Sequence, residues 1–178
     1  MSVPRTADNE PIRSVFVTVG TDHHPFDRLI RWVDEWLNGA SADCFVQFGT
    51  SQAPSMCPGS AYLSHEETRQ RIADADAIVC HGGPGTIIDC LSSGTMPIVV
   101  PRRHGDGEHV DDHQVRFTAR LEESAYIKVA QTSVELGDLL EAALQGSADV
   151  LSPTNRTMLQ ESVERFAALV APLLPPEG

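Results

Sequence analysis

At 178 residues, with 41% hydrophobic and 21% charged side chains, the chain is long enough for one domain with a sizeable core and too short for two full ones. Its 13 Lys and Arg against 25 Asp and Glu leave a formal net charge of −12, which argues against nucleic acid or an anionic lipid surface as a direct partner; any phosphate must be held locally. No apolar run approaches the roughly 20 residues of a membrane span and the start Met1 to Arg13 has no signal-peptide core, so the chain is expected to be cytoplasmic with no span of its own.

Residues 1–13 are expected as a disordered leader and 14–178 as a single domain. Val15 to Val19 is β-branched and predicts a strand, which runs into Gly20-Thr21 and then Asp22-His23-His24-Pro25. Phe26, Leu29, Ile30, Val33, Trp36 and Leu37 follow at spacings of three and four, the stripe of a core-facing helix that stops at Asn38-Gly39. Cys44 to Phe48 predicts a second strand ending at Gly49, and Thr50 to Ser60, with its two prolines, a loop. Ser64 and Glu67 have the spacing of a capping box for a helix ending near Ala73.

The stretch from Ala77 to Val100 carries the most chemistry. Ala77 to Cys80 has no polar alternation, as in a strand buried on both faces of a parallel sheet. The glycine-rich turn His81, Gly82, Gly83, Pro84, Gly85 then permits close backbone approach, and a helix opening at Pro84 to Thr86 leaves its first N–H groups unpaired, a terminus suited to phosphate. Gly94 closes that helix, and Pro97 to Pro101 supplies the next strand of a βαβ unit. Neither GxGxxG nor GxxxxGK[ST] is present. Asp89, three residues after Thr86, has two readings: a capping-box partner, or an acceptor for ribose hydroxyls.

Arg102 to Glu108 is too glycine-rich and charged to be core, and is expected as an exposed loop before a helix from about Val110 to Leu121. Tyr126 to Ala130 predicts a strand, Thr132 to Gln145 a helix and Pro153 to Val170 a final helix. Strand and helix alternate throughout, which implies an α/β fold with an open, parallel, doubly wound, Rossmann-like sheet whose ligands sit outside the carboxyl ends of the strands. Gly20-Thr21, Gly49, His81 to Gly85 and Arg102 to Glu108 should therefore line one rim.

The four cysteines, Cys44, Cys57, Cys80 and Cys90, show no CxxC spacing and read as reduced and structural. His109 and His113 stand at i, i+4 and could share a metal, but the segment lacks HExxH, so no metal ligand is assigned and no cofactor is expected. Asp74-Ala-Asp76 has the letters of a DxD motif and reads more simply as a helix-to-strand turn. His23, beside the first glycine loop, is a candidate base with an intrinsic pKa near neutrality, or a helix-start histidine packed beside Pro25.

Three blocks, VFVTVGTDHHPFDRLI (Val15 to Ile30), IVCHGGPGTI (Ile78 to Ile87) and PRRHGDGEHVDDHQ (Pro101 to Gln114), together resemble the family-28 glycosyltransferase C-terminal domain. Within it the chain is most similar to the small subunits of two-component bacterial exopolysaccharide transferases, which resemble the nucleotide-sugar-binding subunit of the dolichol-linked GlcNAc transferase. The resemblance implies the C-terminal half of a GT-B enzyme, inverting and metal-independent, with a UDP-sugar diphosphate over Gly82, Gly83, Gly85 and Thr86. It also implies His81 beside that loop, Asp89 on the ribose and Gly20 and Thr21 near the phosphates. Glu108, His109, Asp112, His113 and Gln114 fall in the motif that approaches the donor sugar and β-phosphate, with His23 and His109 as catalytic candidates. Relatives often carry a tyrosine where Thr50 follows Gly49. A membrane-anchored partner would bring the polyprenyl-diphosphate-linked acceptor and recruit the chain to the inner face of the membrane. A noncatalytic nucleotide-sugar-binding subunit is the alternative, and a sugar-nucleotide epimerase a further one.

Overall fold

The computed structural model describes residues 13–146 together with Glu161. The expected leader, apart from Arg13, and the expected last helix lie outside the described residues. Six strands alternate with five α-helices: β1 (Ser14–Thr18), α1 (Asp27–Leu37), β2 (Asp43–Gln47), β3 (Gly59–Ser60), α2 (His65–Asp74), β4 (Ala77–His81), α3 (Pro84–Ser92), β5 (Ile98–Val100), α4 (His113–Glu123), β6 (Lys128–Val129) and α5 (Ser133–Leu144). They form one sheet in the order β3-β2-β1-β4-β5-β6, and every neighbouring pair is parallel. The chain thus winds outward from β1 to one edge, returns, and winds to the other, and the reversal lies between β1 and β4.

The strand side chains divide by the period of two that a pleated strand imposes. Val15, Val17, Val46, Val79, Ile98 and Val100 face one layer, where α1 and α5 bring Leu29, Ile30, Val33, Leu136 and Leu140. Phe16 and Ile78 face the other, against Ile72 of α2 and Cys90 of α3, and Cys80 and Val99 join Ile87 and Leu91 of α3 there. Fully buried residues such as Leu29 and Val33, each 0% exposed, contribute about 1.5–3 kcal/mol apiece by leaving water. Helices on both faces leave the strand ends as the open part of the sheet.

Three expectations are corrected. Gly59–Ser60, expected within a loop, is an edge strand paired to Val46 and Gln47. The helix expected from Val110 begins at His113, because Asp111 Oδ1 accepts from the His113 N–H at 2.8 Å and turns the chain just before it. Arg102 to Glu108 is not simply an exposed loop: Arg102 is 0% and Glu108 4% exposed. The Ser64–Glu67 capping box is present in both directions. Asp76 accepts from the Ser14 N–H at 2.8 Å, a turn that ties β4 to the start of β1. All four cysteines are free thiols, with Cys44, Cys80 and Cys90 buried on β2, β4 and α3.

Candidate functional site

A cleft of about 400 Å³ opens at the carboxyl ends of β1 and β4, where the winding direction reverses. One wall is Gly20 and Thr21, the other Gly83, Pro84, Gly85 and Thr86 at the start of α3, and Asp89 completes it one turn in. Gly83 is the N-cap of α3 with no side-chain cap, and Pro84 takes the first helical position, where an N–H would have no partner. The N–H groups of Gly85 and Thr86 have no acceptor within the helix. These donors and the positive end of the helix dipole make this wall complementary to an anion.

His81, the last residue of β4, sets the spacing of the two walls. Its ring lies between the glycine turns, so that a Cβ on either Gly20 or Gly83 would run into the imidazole. Gly20 also has φ +78°, a conformation open to glycine at little cost. Burial, and after it the charge of Arg102, pushes the His81 pKa down to about 4, so the ring is neutral at physiological pH. Gln47 fixes the first turn from below by donating to Gly20 O at 3.0 Å and Ala61 O at 2.7 Å.

The loop after β5 is anchored from inside. The Arg102 guanidinium donates to Val19 O at 2.8 Å, His24 O at 2.7 Å and Glu108 O at 3.0 Å, and lies 4.7 Å from the centre of the Phe26 ring. Arg28 from α1 grips Glu108 with both arms of its fork and also reaches Pro101 O at 2.9 Å. Glu108 Oε2 accepts in addition from the Arg103 N–H at 2.9 Å. Glu108, expected from the resemblance to approach the donor sugar, is turned inward with both carboxylate oxygens occupied. Gln114, 4% exposed, accepts through one oxygen from the N–H groups of Gly82 and Arg102 at 3.1 and 3.2 Å, and so holds the glycine turn against the β5 loop. Asp112 accepts from the His104 N–H at 2.9 Å.

Of the two catalytic candidates, His23 is 83% exposed on its side chain and His109 13%. Neither is among the described residues lining the cleft. His109 Nε2 stands 3.5 Å from Asp22 Oδ2, while Asp22 Oδ1 is bound by His24 Nδ1 at 2.6 Å. His113 packs edge-on against His109, ring centres 4.6 Å apart, with its Nδ1 2.6 Å from Asp111 Oδ1. Thr50 hydrogen-bonds His23 O at 3.0 Å, which fastens the histidine loop to the turn after β2.

The capping-box reading of Asp89 does not hold, since α3 starts from Gly83 and Asp89 lies in its second turn. Asp89 instead lines the cleft, with its carboxylate 3.4 Å from Nε2 of His65, another cleft residue. Sequence reasoning missed His65, Thr18 and Thr68 as cleft residues. For His65 there was a signal, since the Ser64–Glu67 box puts it at the first position of α2, beside the same rim.

The chain matches the family model of the glycosyltransferase family 28 C-terminal domain over residues 14–170. Among curated proteins no sequence relative was found. Similar solved structures include the glycotransferase of kitacinnamycin (TM-score 0.63, 16% identity, covering 92% of this chain and 43% of that one). MurG of Acinetobacter baumannii gives 0.58 at 18% identity, covering 93% and 49%, and SnogD from Streptomyces nogalater 0.56 at 21%, covering 94% and 44%. The chain thus spans less than half the length of each of these glycosyltransferases. At such identities they establish the fold, that of a GT-B glycosyltransferase half, and the family match covers all of the described strands and helices. By that match the chain belongs to glycosyltransferase family 28, as a C-terminal domain.

Proposed function

We propose that this domain binds a UDP-sugar and transfers the sugar to a polyprenyl-diphosphate-linked acceptor in polysaccharide biosynthesis, working with a membrane-anchored partner that binds the acceptor. The observation that carries the reading is the cleft at the reversal of the sheet, with the open terminus of α3 on one side and Asp89 one turn along. The diphosphate lies against the N–H groups of Gly85 and Thr86, and the Asp89 carboxylate accepts from the ribose diol.

Transfer breaks the bond from the anomeric carbon to the β-phosphate oxygen, and negative charge grows on the departing UDP. Fixed backbone donors and a helix dipole stabilise that charge without reorganising, so a divalent ion on the diphosphate is not required. The acceptor oxygen attacks from the opposite face, which inverts the anomeric centre, and its proton passes to a base. His23 and His109, on the loops that follow β1 and β5, are the candidates for that base within this chain, and the partner half is the other source. Among the described residues no helix is long and apolar enough to cross a membrane, in keeping with an anchor supplied by the partner at the inner membrane face.

The test is reconstitution. The purified chain is expected to bind UDP-sugar without transferring it, and co-expression with a membrane-anchored acceptor-binding partner to restore transfer and recruit the chain to membranes. Transfer to a lipid-linked acceptor by the isolated chain would overturn the two-component reading, and UDP binding with no transfer in any such pairing would favour a noncatalytic binding subunit.

A further inference from the structure

Asp111 and His113, beside His109 at the entry to α4, have no part in the reading above. His109, Asp111 and His113 each offer a ligand atom within 4.8 Å of the others, and alternate residues bring all three to one side of the turn that enters α4. Asp111 Oδ1 lies 2.6 Å from His113 Nδ1 and 3.9 Å from His109 Nδ1. Ligands about 2.0–2.2 Å from a tetrahedral ion stand about 3.3–3.6 Å apart, so these separations bracket the value; rotation of the half-exposed His113 ring lengthens the shorter one and rotation of the half-exposed Asp111 carboxylate shortens the longer.

The arrangement around His109 is that of a braced ligand. Its Nε2 faces Asp22 Oδ2 at 3.5 Å, and Asp22 is itself held by His24 through the backbone N–H at 2.7 Å and Nδ1 at 2.6 Å. A proton on Nε2, toward Asp22, leaves the Nδ1 lone pair directed at Asp111, whose N–H stands at 3.5 Å, as far from Nδ1 as Asp22 Oδ2 is from Nε2. A carboxylate behind the far nitrogen is the usual support of a metal-binding histidine. The ring is 13% exposed, while Asp111 and His113 are about half exposed, so an ion has both a fixed wall and a way in.

We propose that His109, Asp111 and His113 form a binding site for a divalent transition-metal ion, with Asp22 orienting His109 from behind. Two imidazoles and one carboxylate suit Zn²⁺ or Co²⁺ better than Mg²⁺ or Ca²⁺, and three protein ligands leave a coordination position for water or a substrate oxygen. Asp22, His23 and His24 form a second possible group, but His23 is 83% exposed and the carboxylate it meets, at 3.8 Å, is Asp22 of the same group. The proposal does not rest on the nucleotide reading, because none of the three ligands lines the cleft.

The test is titration of the untagged full chain with Co²⁺, followed by its visible absorption and by calorimetry, with Zn²⁺ as competitor. The expected result is one ion per chain, a tetrahedral Co²⁺ spectrum, and its loss on adding Zn²⁺. Asp111→Asn keeps an oxygen for the His113 N–H and so preserves the turn; it and His113→Ala should each weaken binding by more than the roughly 10–100-fold expected of the supporting change Asp22→Asn. Absence of Co²⁺ and Zn²⁺ binding by the folded chain would overturn the proposal. So would binding that survives Asp111→Asn and His113→Ala, or that is lost instead in His23→Ala.

Discussion

Arg28 and Glu108, 80 residues apart, are joined by two side-by-side hydrogen bonds, Nε to Oε1 at 2.8 Å and one terminal nitrogen to Oε2 at 2.7 Å. Both side chains are nearly buried, at 10% and 5% exposure. Removing one partner of such a pair strands the other charge away from water. Glu108→Ala is therefore expected to lose about 3–5 kcal/mol of stability in urea unfolding. A loss under about 1 kcal/mol, typical of exposed pairs, would show that the carboxylate is not engaged in this way.

Asp89→Ala should behave in the opposite manner. Its carboxylate caps no helix and the residue lines the cleft, so unfolding should be nearly unchanged while UDP affinity falls by about 1–3 kcal/mol, the worth of a charge-assisted hydrogen bond. Calorimetry on wild type and variant measures this. Equal affinity in the two would remove Asp89 from the ribose.

The glycines separate folding from binding. A Cβ on Gly85 would meet nothing within 4 Å, and the residue is helical, so Gly85→Ala should hold or raise stability by up to about 1 kcal/mol. The added methyl stands where the diphosphate is proposed to approach, and UDP affinity should fall at least tenfold, about 1.4 kcal/mol. Gly83→Ala, which drives a methyl into His81, should instead cost about 1–3 kcal/mol of stability. Thermal melting and UDP titration of both variants decide the matter; unchanged UDP affinity in Gly85→Ala would count against the diphosphate position.

His81 predicts a pH dependence. Its folded pKa of about 4 lies below the value of 6.5 usual for histidine, so between these limits the unfolded chain binds the extra proton. Stability therefore falls as pH drops from 6.5 toward 4, by at most on the order of 3 kcal/mol from this group. Urea unfolding at a series of pH values should show the slope, and His81→Gln should flatten it. An unchanged slope in that variant would locate the titration elsewhere.

UDP binding should also survive chelation. The α3 terminus supplies the positive potential, so affinity measured in excess EDTA should match that without it. Loss of binding, with rescue by a divalent ion, would place a metal on the diphosphate.

What the sequence revealed followed the range of the forces involved. Val15 to Val19, the Phe26 to Leu37 stripe and the Ser64–Glu67 box are local patterns whose packing agrees with them. Gly59–Ser60 left no such mark, because a two-residue edge strand is held by backbone pairing to Val46 and Gln47 and not by its side chains. Arg102 misled for the converse reason: a charged residue among glycines looks solvated, yet its partners at Val19 and His24 are supplied by tertiary structure. Asp89 was ambiguous because its role turns on whether α3 starts at Gly83 or Thr86, a shift of less than one turn.

The Arg102 fork also bears on the order of assembly. Its bonds to Val19 O and His24 O span 83 and 78 residues, and those carbonyls come within reach once β1 has paired with β4 and β4 with β5. Closing loops of that length costs entropy that the completed sheet has already offset. The rim is therefore expected to form with or after the sheet that positions its carbonyls. A collapsed chain lacking it would have secondary structure but no competent cleft, so the stoichiometry of binding at the proposed nucleotide site would count the molecules with a native rim, where circular dichroism would count both.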